Sequence, residues 1–475
     1  MAIYKPYPKY KNSNIPWLGE IPEHWEITKL KYLITLQKGK VPKEFSNKEN
    51  NLPYLSMEYL RGKLTIPSYV LPQENLIEVE NDELLILWDG ANAGEVMKSK
   101  KGVLSSTMAV IRINENYFDE RFFFHFLKWL EKELKTFANG TTIPHLDSSV
   151  LIDNHYCIPL FEEQSAIARF LDYKLAKINR FIQKKKQLIK LLNEQKAAII
   201  NQAVTKGLDP NVKMKDSGIE WLGEIPEHWE VRKLKGILAK GKDSLKPGPF
   251  GSDLKNQDII PVGYKVYTQR AVLDDDFSTS SYCISEEKYD ELSAFEVKSG
   301  DILLTTRGTI GRCCIVPHLF EKGVIHPCII RLRINQGLVL HQFVRLFIEK
   351  ANAFQVALKY NSNATTIDVI YGNVLRDVFF IIPPIVEQKQ IISFIEKETT
   401  IINTTISKIE KEIALVEEYK TALIAEAVTG KIDVRGYEVP EISEEETYEE
   451  IEDPDSYRDS MAAEDAADYE NESDL

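Results

Sequence analysis

The sequence IPWLGEIPEHWEITKLKYL at residues 15–33 occurs a second time, as IEWLGEIPEHWEVRKLKGI at residues 219–237. Fourteen of the 19 aligned positions are identical at a constant offset of 204 residues. We call these segments the Trp repeats, because they contain four of the six tryptophans of the chain. His24 and His228 recur beside a tryptophan, which indicates packing or hydrogen bonding and not catalysis. Internal repetition identifies a structural unit that the chain builds more than once, so the sequence predicts two similar halves.

A second repeat has an offset of 224 residues and covers 158–209 and 382–433, which we call the helical repeats. Each opens with an Ile-Pro pair and a Glu-Gln pair, and apolar residues then recur at alternating steps of three and four. This spacing predicts a coiled-coil seam, with a lysine at the same register of both copies. The predicted seam residues are Leu175, Ile178, Ile182, Lys185, Ile189, Leu192, Lys196, Ile199 and Ala203, and then Thr399, Ile402, Ile406, Ile409, Ile413, Val416, Lys420, Leu423 and Ala427.

The order of the segments predicts how the two helices pair. The first helix ends where the second globular segment begins, and the second helix begins where that segment ends. Antiparallel pairing places these two ends side by side, whereas parallel pairing forces the segment to span a helix about 60 Å long. We therefore predict an α+β fold, with two globular α/β domains at opposite ends of an antiparallel two-helix coiled-coil rod and a pseudo-two-fold internal repeat.

The predicted organisation divides the chain into five segments. They are a first globular domain, a helical spacer, a second globular domain, a second helical spacer and an acidic tail: 1–157, 158–208, 209–381, 382–435 and 436–475. Within the two globular domains the sequence predicts corresponding elements in the same order. These are strands at 83–88 and 108–113 before a helix at 119–135, and strands at 301–305 and 329–334 before a helix at 340–358.

Charge is distributed unevenly along the chain. The formal net charge is −13, but residues 438–475 contain 17 acidic residues and one basic residue, Arg458, for a net charge of −16. The preceding residues carry 58 basic and 55 acidic side chains, a net charge of +3. Because the tail has few large apolar residues and a high charge, we predict that it is disordered.

The sequence also indicates the compartment. It contains no run of about 18 apolar residues, and residues 1–11 lack the apolar core of a secretion signal. The cysteines are few and odd in number, as is typical of the reducing cytosol: Cys157, Cys283, Cys313, Cys314 and Cys328. We therefore expect a cytoplasmic protein that does not enter a membrane.

Three polar loops recur in both globular domains. They are QKGKVPK, WDGANAG and NGTTIPH at 37–43, 88–94 and 139–145, and GPFGSDLK, TRGTIGR and SNATTID at 248–255, 306–312 and 362–368. Arginine and lysine suit guanine edges, asparagine suits adenine, and lysine, serine and threonine also suit phosphates. A shared scaffold with different loop side chains is what two readers of different DNA sequences require. The candidate DNA contacts are Lys38, Lys40, Lys43, Trp88, Asn92, Thr142, His145, Phe250, Ser252, Lys255, Arg307, Thr309, Arg312, Asn363 and Thr366.

Motifs for catalysis are absent from the sequence. It has no GxxxxGK[ST] phosphate loop, no Asn-Pro-Pro or Asp-Pro-Pro followed by an aromatic residue, and no glycine fingerprint that opens a nucleotide-binding helix. One group of cysteines and histidines resembles a metal site, but its spacing matches no familiar zinc pattern. We expect core cysteines and loop histidines instead at Cys313, Cys314, His318, His326 and Cys328.

The duplicated GEIPEHWE, the GPFGSDLK and RGTIG segments, and the IPxxxEQ openings of the helical repeats resemble the specificity subunit of type I restriction-modification systems. The resemblance covers about residues 1–435. It implies two target recognition domains, each of which reads one half of a split site in double-stranded DNA, and helical repeats that set the spacing. It implies docking of two modification subunits, which use S-adenosylmethionine, and of two restriction subunits, which are motor nucleases that use ATP and Mg²⁺. The chain itself is then non-catalytic and binds no cofactor.

Two consequences follow if the resemblance holds. Rigid helices between two readers predict half-sites whose centres lie about 10 bp apart on one DNA face. Because the two domains differ in sequence, the half-sites differ and the full site is asymmetric. The acidic tail departs from the family pattern, and two roles stay open for it: mimicking DNA to shield a basic face before assembly, or keeping the chain soluble.

Two alternatives belong to other functional classes. A self-contained endonuclease would use carboxylates with Mg²⁺, and Asp89 and Asp253 lie in candidate loops, but no paired carboxylate spacing recurs in both halves. A coiled-coil scaffold without a DNA role accounts for the helical repeats, but not for two globular domains with diverged loops.

Overall fold

The structure is a computed structural model that describes residues 4–15, 18–136, 145–220, 222–278, 282–307, 309–350, 354, 356, 358 and 369–440. The chain forms two compact units. Unit 1 contains the residues up to Lys186 together with those from Glu410 onward, and unit 2 contains Gln187–Ile409. The predicted acidic tail lies almost entirely outside the described residues, as do Thr142, Asn363 and Thr366.

In the described residues, unit 1 begins with thirteen short strands and three helices before the first long helix. The strands are β1 Tyr10–Asn12, β2 Glu20–Pro22, β3 Glu26–Lys29, β4 Ile34–Lys38, β5 Phe45–Ser46, β6 Leu52–Leu55, β7 Tyr69–Val70, β8 Glu78–Val79, β9 Leu84–Leu87, β10 Val96–Lys98, β11 Gly102–Leu104, β12 Met108–Ile113 and β13 His155–Ile158. The helices are α1 Met57–Leu60, α2 Glu120–Thr136, α3 Ser148–Ile152 and the long α4 Phe161–Lys206, with a 3-10 turn at Leu30–Tyr32.

The central sheet of unit 1 buries apolar side chains on both faces. Its strand order is β10-β9-β12-β4 and all neighbours are antiparallel. Successive side chains of a strand point to opposite faces. Leu84 and Ile86 therefore pack in one cluster with α2 and α4, while Leu85 and Leu87 pack in another with β6, β8 and β11 of a second, five-stranded sheet. The uninterrupted apolar run of β9 reflects this two-sided burial.

Unit 2 contains eleven strands in the described residues. They are β14 Met214–Asp216, β15 Glu224–Pro226, β16 Glu230–Lys233, β17 Leu245–Pro247, β18 Tyr264–Tyr267, β19 Cys283–Ile284, β20 Ile302–Thr305, β21 Cys313–Ile315, β22 Gly323–Ile325, β23 Ile329–Leu332 and β24 Phe379–Ile382. The helices of this part are α5 Gln269–Leu273, α6 Glu286–Glu291, α7 His341–Lys350, α8 Gly372–Asp377 and the long α9 Ile385–Val428, with 3-10 turns at Leu234–Gly236, Asn256–Asp258 and Ser293–Phe295.

Unit 2 repeats the architecture of unit 1. Its central sheet has the order β17-β23-β20-β21, which corresponds to β4-β12-β9-β10. Along β20, Ile302 and Leu304 pack with α7, and Leu303 packs on the opposite face. The predicted strands at 83–88, 108–113, 301–305 and 329–334 are confirmed as β9, β12, β20 and β23, and the helices predicted to begin at 119 and 340 are α2 and α7.

The helical repeats form α4 and α9, and segments of both helices pair inside each unit. In unit 1 the Lys420 Nζ donates to Asn179 Oδ1 at 2.9 Å, and Lys185 pairs with Glu412 at 2.7 Å. The residue number rises along α4 as it falls along α9, so these segments are antiparallel, as predicted. Every predicted seam residue is buried or half-buried in the structure.

The same contact occurs in unit 2 with the helices exchanged. Lys196 Nζ donates to Asn403 Oδ1 at 2.7 Å. Adding the offset of 224 to Asn179 and Lys196 gives Asn403 and Lys420, so the two lysine–asparagine contacts are copies of one another. The internal repeat of the sequence is therefore matched by a repeated contact, once in each unit.

The Trp repeats are joined to the start of the long helices by a buried carboxylate. In unit 1, Glu163 accepts hydrogen bonds from His24 Nε2 at 2.7 Å, Trp25 Nε1 at 3.0 Å and the Tyr7 hydroxyl at 2.5 Å. Burial, and then the hydrogen bond to Glu163, raise the pKa of the Tyr7 hydroxyl, so it stays a donor. Both indoles of the PEHW segments, Trp25 and the equivalent Trp229, are fully buried.

Unit 2 makes the corresponding contact through Glu387. This carboxylate accepts from His228 Nε2 at 2.8 Å and from Trp229 Nε1 at 2.9 Å. The hydrogen-bonding role predicted for His24 and His228 is therefore confirmed. The Glu-Gln pair of the helical repeats recurs because its glutamate holds the Trp repeat in place.

The glutamine of each Glu-Gln pair holds the segment before the domain helix. Gln164 accepts from the Asp119 amide at 3.0 Å and donates to the carbonyl groups of Tyr117 and Pro159. Gln388 accepts from the Leu340 amide at 2.8 Å and donates to two carbonyl groups in the same way. These contacts fix the start of α2 and α7 relative to the long helices.

The segment after α9 completes the core of unit 1. The Asp433 amide donates to the Lys5 carbonyl at 2.8 Å, and the Tyr437 ring lies 4.9 Å from the Phe170 ring. Ile432 and Val434 are buried in the same cluster as Trp25. Unit 1 is therefore built from both ends of the described chain.

The structure does not test the predicted boundaries of the five functional segments, which stay predictions. It does show that α4 and α9 fall within the predicted spacers at 158–208 and 382–435. Each spacer contributes residues to both units.

Candidate nucleic-acid interface

Three chain segments meet at one edge of the central sheet in each globular domain. They are the end of the outer strand, the turn that follows the central strand, and a short segment that bridges to this turn. In unit 1 the Gly39 amide donates to the Met108 carbonyl at 2.9 Å, Asp89 forms a β-bridge with His145, and the Leu146 amide donates to the Trp88 carbonyl at 2.9 Å. We call this arrangement the three-segment edge.

Unit 2 has the same three-segment edge. The Gly248 amide donates to the Ile329 carbonyl at 2.8 Å, Arg307 forms a β-bridge with Val369, and the Ile370 amide donates to the Thr306 carbonyl at 2.9 Å. These hydrogen bonds match those of unit 1 one by one. The predicted correspondence between the early loops, and between the turns, of the two domains is therefore confirmed.

Glycine is required where the outer strand reaches this edge. A Cβ atom at Gly39 would collide with the carbonyl oxygen of Ser105, and one at Gly248 would collide with that of His326. The lack of a side chain lets two backbones approach closely. The recurring glycine in the early loops thus has a structural reason, and it does not by itself indicate a ligand.

A polar network assembles at the three-segment edge of unit 1. Lys38 Nζ donates to Asp89 Oδ2 at 2.8 Å, His145 Nδ1 donates to Asp89 Oδ1, and Trp88 Nε1 donates to His145 Nε2 at 3.3 Å. The Lys38 ammonium also lies 5.6 Å from the centre of the Trp88 ring. Three of the predicted contact residues, Lys38, Trp88 and His145, are thus brought together around Asp89.

Asp89 is an ionised acceptor in this network. Burial alone would raise the pKa of its carboxyl, but the hydrogen bonds from Lys38 and His145, together with the charge of Lys38, outweigh burial and hold the pKa below its usual value. The Lys38–Asp89 pair is partly exposed, and such pairs contribute only about 0–1 kcal/mol. Lys38 is therefore free to exchange Asp89 for a nearby phosphate at little energetic cost.

The edge of unit 2 has a different chemistry. Arg307 is exposed, and among the described residues it forms no ion pair with a carboxylate. Thr305 orders the turn, because its hydroxyl donates to the Thr309 carbonyl at 2.6 Å and accepts from the Arg312 amide at 3.1 Å. Arg312 itself pairs with the buried carboxylate of Glu349 at 3.5 Å, which makes it a weaker candidate for DNA contact than Arg307.

The GPFGSDLK loop presents an aromatic side chain. Phe250 is 82% exposed, although its backbone is held by Asp253: the Phe250 amide donates to the carboxylate at 3.3 Å, and the Asp253 amide donates to the Phe250 carbonyl at 2.8 Å. Leu254 anchors the loop in a core cluster. An exposed phenyl group on an ordered loop suits stacking or an apolar contact with a base.

The remaining predicted contacts lie at the surface. The Ser252 hydroxyl donates to Asp253 at 3.3 Å, and the Lys255 amide donates to Asp258 at 2.8 Å. The Lys255 side chain is exposed. Lys40, Lys43 and Asn92 are also exposed. These residues stay predicted DNA contacts.

The sequence did not assign a role to several residues that shape the site. Asp89 was considered only as a nuclease carboxylate, yet it joins three predicted contacts. Asn179 and Asn403 were not singled out, although each accepts from a seam lysine. Their signal was available, because both asparagines recur at the helical offset of 224.

The group of cysteines and histidines in unit 2 belongs to the sheet and its loops. Cys313 and Cys314 are buried in β21, and all five cysteines of the chain are free thiols. In the described part of the chain, no three histidine, cysteine, aspartate or glutamate side chains are placed to hold a metal ion. No described helix is long and apolar enough to cross a membrane.

Comparison with known proteins adds a direct relationship. The family model described as "Type I restriction modification DNA specificity domain" matches residues 22–191 and again 226–415, so it matches each half of the chain once. The chain belongs to this family. The specificity subunits that the family contains recognise DNA and are not catalytic.

Two specificity subunits show how far the likeness extends. The type I restriction enzyme MjaVIII specificity subunit of Methanocaldococcus jannaschii is 30% identical over 440 residues, which is 90% of this chain and 97% of the relative. The EcoBI specificity subunit of Escherichia coli is 22% identical and covers 88% of each chain. The likeness therefore spans both domains and both helical repeats.

A solved structure shares the fold. It comes from work on complex assembly and conformational transition of the type I R-M system, and it superimposes with a TM-score of 0.64 at 13% identity. It covers 87% of this chain and 99% of the solved chain. This agreement supports an α+β specificity-subunit fold with two repeated domains.

Proposed function

We propose that this specificity subunit reads a bipartite, asymmetric site in double-stranded DNA, with one half-site for each globular domain. The observation that carries the proposal is the three-segment edge, which both domains build from matching hydrogen bonds but line with different side chains. A common backbone gives both domains the same approach to DNA, and different side chains give each domain its own sequence preference.

The candidate contacts at these edges divide by chemistry. Lysines such as Lys38, Lys40 and Lys255 suit phosphates and set the position of the domain on DNA. Arg307, Asn92 and Phe250 suit base edges or base faces. Thr142, Asn363 and Thr366 lie outside the described residues and stay predictions from the sequence.

The long helices would set the distance between the half-sites. Antiparallel segments of α4 and α9 pair inside each unit, and their lysine–asparagine contacts repeat with the helices exchanged. A continuous rod of two such helices, with the domains at opposite ends, would place two half-sites about 10 bp apart on one DNA face.

The repeated scaffold also fits two equivalent partners. The Trp repeats and helical repeats occur twice with little change, so each half offers a similar surface. We propose that two modification subunits dock there and use S-adenosylmethionine, and that two restriction subunits use ATP and Mg²⁺, while this chain binds no cofactor. We place the assembled complex in the cytoplasm.

Methylation-sensitive sequencing of DNA from cells that contain this chain and its modification partner tests the proposal. We expect methylated adenine on both strands of a split motif whose two halves differ. Exchanging residues 15–157 for the same region of a relative should change one half of that motif and leave the other intact. A change in both halves, or no methylated motif from an assembled complex, would contradict the two-reader proposal.

A further inference from the structure

The three-segment edge contains one position at which the two domains carry opposite charges. Asp89 directly follows Trp88 at the end of β9, and Arg307 directly follows Thr306 at the end of β20. Each of the two residues forms the β-bridge to the third segment of its edge, to His145 or to Val369. Their backbones are therefore equivalent, and their side chains start from the same point of the scaffold.

The two side chains have complementary hydrogen-bonding capacity. An ionised carboxylate only accepts hydrogen bonds, whereas a guanidinium only donates them. In the major groove, cytosine presents an amino donor at N4, and guanine presents two acceptors at O6 and N7. A carboxylate therefore suits cytosine and a guanidinium suits guanine.

A phosphate contact does not explain both residues. Arginine suits a phosphate as well as a guanine, but a carboxylate at the same scaffold position is repelled by the phosphate backbone. If this position faces the same part of DNA in both domains, a base edge accommodates Asp89 and Arg307, whereas a phosphate accommodates only Arg307.

Asp89 has the hydrogen-bonding capacity for such a contact. Lys38 occupies one oxygen of the carboxylate at 2.8 Å, and His145 occupies the other. A carboxylate has about four acceptor sites, so each oxygen keeps one.

We propose that residues 89 and 307 are equivalent specificity-determining positions, at which Asp89 accepts a hydrogen bond from the N4 amino group of a cytosine and Arg307 donates to O6 and N7 of a guanine. This inference rests on the proposed function, because it requires that each domain reads a half-site. It adds the chemical class of one base in each half.

The test compares the methylated motif of the assembled complex for the native chain and for variants at both positions. Arg307→Ala and Arg307→Lys should each lower discrimination at one guanine of half-site 2 by roughly tenfold to a hundredfold. Lysine keeps the charge but lacks the rigid planar fork of the guanidinium, so its loss should be the smaller of the two. Asp89→Asn should lower the preference for one cytosine of half-site 1. Half-site 2 should stay intact, and its presence also shows that the complex has assembled.

Two matched control variants change the same residue types, an arginine and an aspartate, at positions away from the three-segment edge. Arg270→Ala removes an exposed arginine of unit 2, and Asp153→Asn breaks an exposed ion pair with Lys31 in unit 1. Neither should alter the motif. Lys38→Gln breaks the ion pair of Asp89 but keeps the carboxylate, so we expect weaker binding to every sequence and an unchanged motif.

Several outcomes would overturn the proposal. An equal loss of binding on all sequences in Arg307→Ala would make Arg307 a phosphate contact. If Asp89→Asn and Lys38→Gln both lose the sequence preference at that cytosine of half-site 1, Asp89 only positions its neighbours. An unchanged motif in all variants would also reject it, whereas the absence of any motif for the native chain would reject the proposed function itself.

Discussion

At the scale of single residues, one glutamate in each half connects the start of a long helix to the Trp repeat of the same half. Glu163 is only 5% exposed and accepts three hydrogen bonds, from Tyr7, His24 and Trp25. Glu387 is 24% exposed and accepts two. A buried donor that loses its acceptor costs about 1–3 kcal/mol, so the two residues differ in how much stability depends on them.

Replacement of Glu163 by alanine leaves two buried donors, Tyr7 and Trp25, without an acceptor and should lower the free energy of unfolding of unit 1 by roughly 2–6 kcal/mol. The Glu387→Ala variant should lose less, because two donors lose their partner instead of three, and one of them, His228, is more exposed than His24. Urea unfolding followed by tryptophan fluorescence measures both effects. The neighbouring exposed Glu162→Ala is the matched control, and an equal loss in Glu162→Ala and Glu163→Ala would contradict the assigned role.

The sequence alone predicted which residues recur in the two halves, but not which residues contact each other in the folded chain. The Glu-Gln pair and the PEHW segment were both visible as repeats, and the histidines were expected to pack or form hydrogen bonds. The contact between Trp25 and Glu163 joins residues 138 positions apart, and no local pattern encodes such a distance. The same limit applies to Asp89 and His145, which are 56 positions apart.

At the scale of elements, the heptad spacing predicted the buried faces of α4 and α9 correctly. Every predicted seam position is at least half-buried, because apolar residues spaced by three and four lie on one side of a helix. The partners of the seam lysines were not predicted. Asn179 and Asn403 each follow a seam residue, so they fall outside the apolar pattern although they accept from Lys420 and Lys196.

Removal of either asparagine tests the contribution of these contacts. Each of Asn179→Ala and Asn403→Ala should lower the free energy of unfolding by about 0.5–1.5 kcal/mol, and the Asn179 contact should contribute more because it is partly buried. Alanine also favours helix more than asparagine does. The exposed Asn193→Ala in α4 measures that gain, and urea unfolding of the three variants separates the two effects.

At the scale of the whole molecule, the order of the segments predicted two similar halves, and two compact units are present. The sequence pattern did not show that each long helix is divided between the units, because a heptad repeat continues unchanged across the division. Nor did it show that residues 431–437 return to the core of unit 1, since that contact depends on the folded positions of both chain ends.

Two truncated chains test whether residues 431–437 complete the core of unit 1. A chain that stops at Val428 should lose protection from hydrogen exchange in unit 1, around Trp25 and Phe170, because Ile432 and Val434 no longer cover them. Protection in unit 2 should stay the same. A chain that stops at Pro440 is the control, because it keeps Ile432, Val434 and Tyr437; equal protection in both truncated chains would contradict the prediction.

The division of the helices also affects the order in which the units fold during synthesis. Residues 1–186 leave the ribosome first, but their core needs helix residues from Glu410 onward. At 5–20 residues per second this partner arrives roughly 10–50 s later. Unit 2 is one continuous stretch and acquires all its parts before then. Unit 1 is therefore the first of the two units to begin emerging but the last to complete its core, and its apolar surface stays incompletely covered until the helix residues from Glu410 onward have been made.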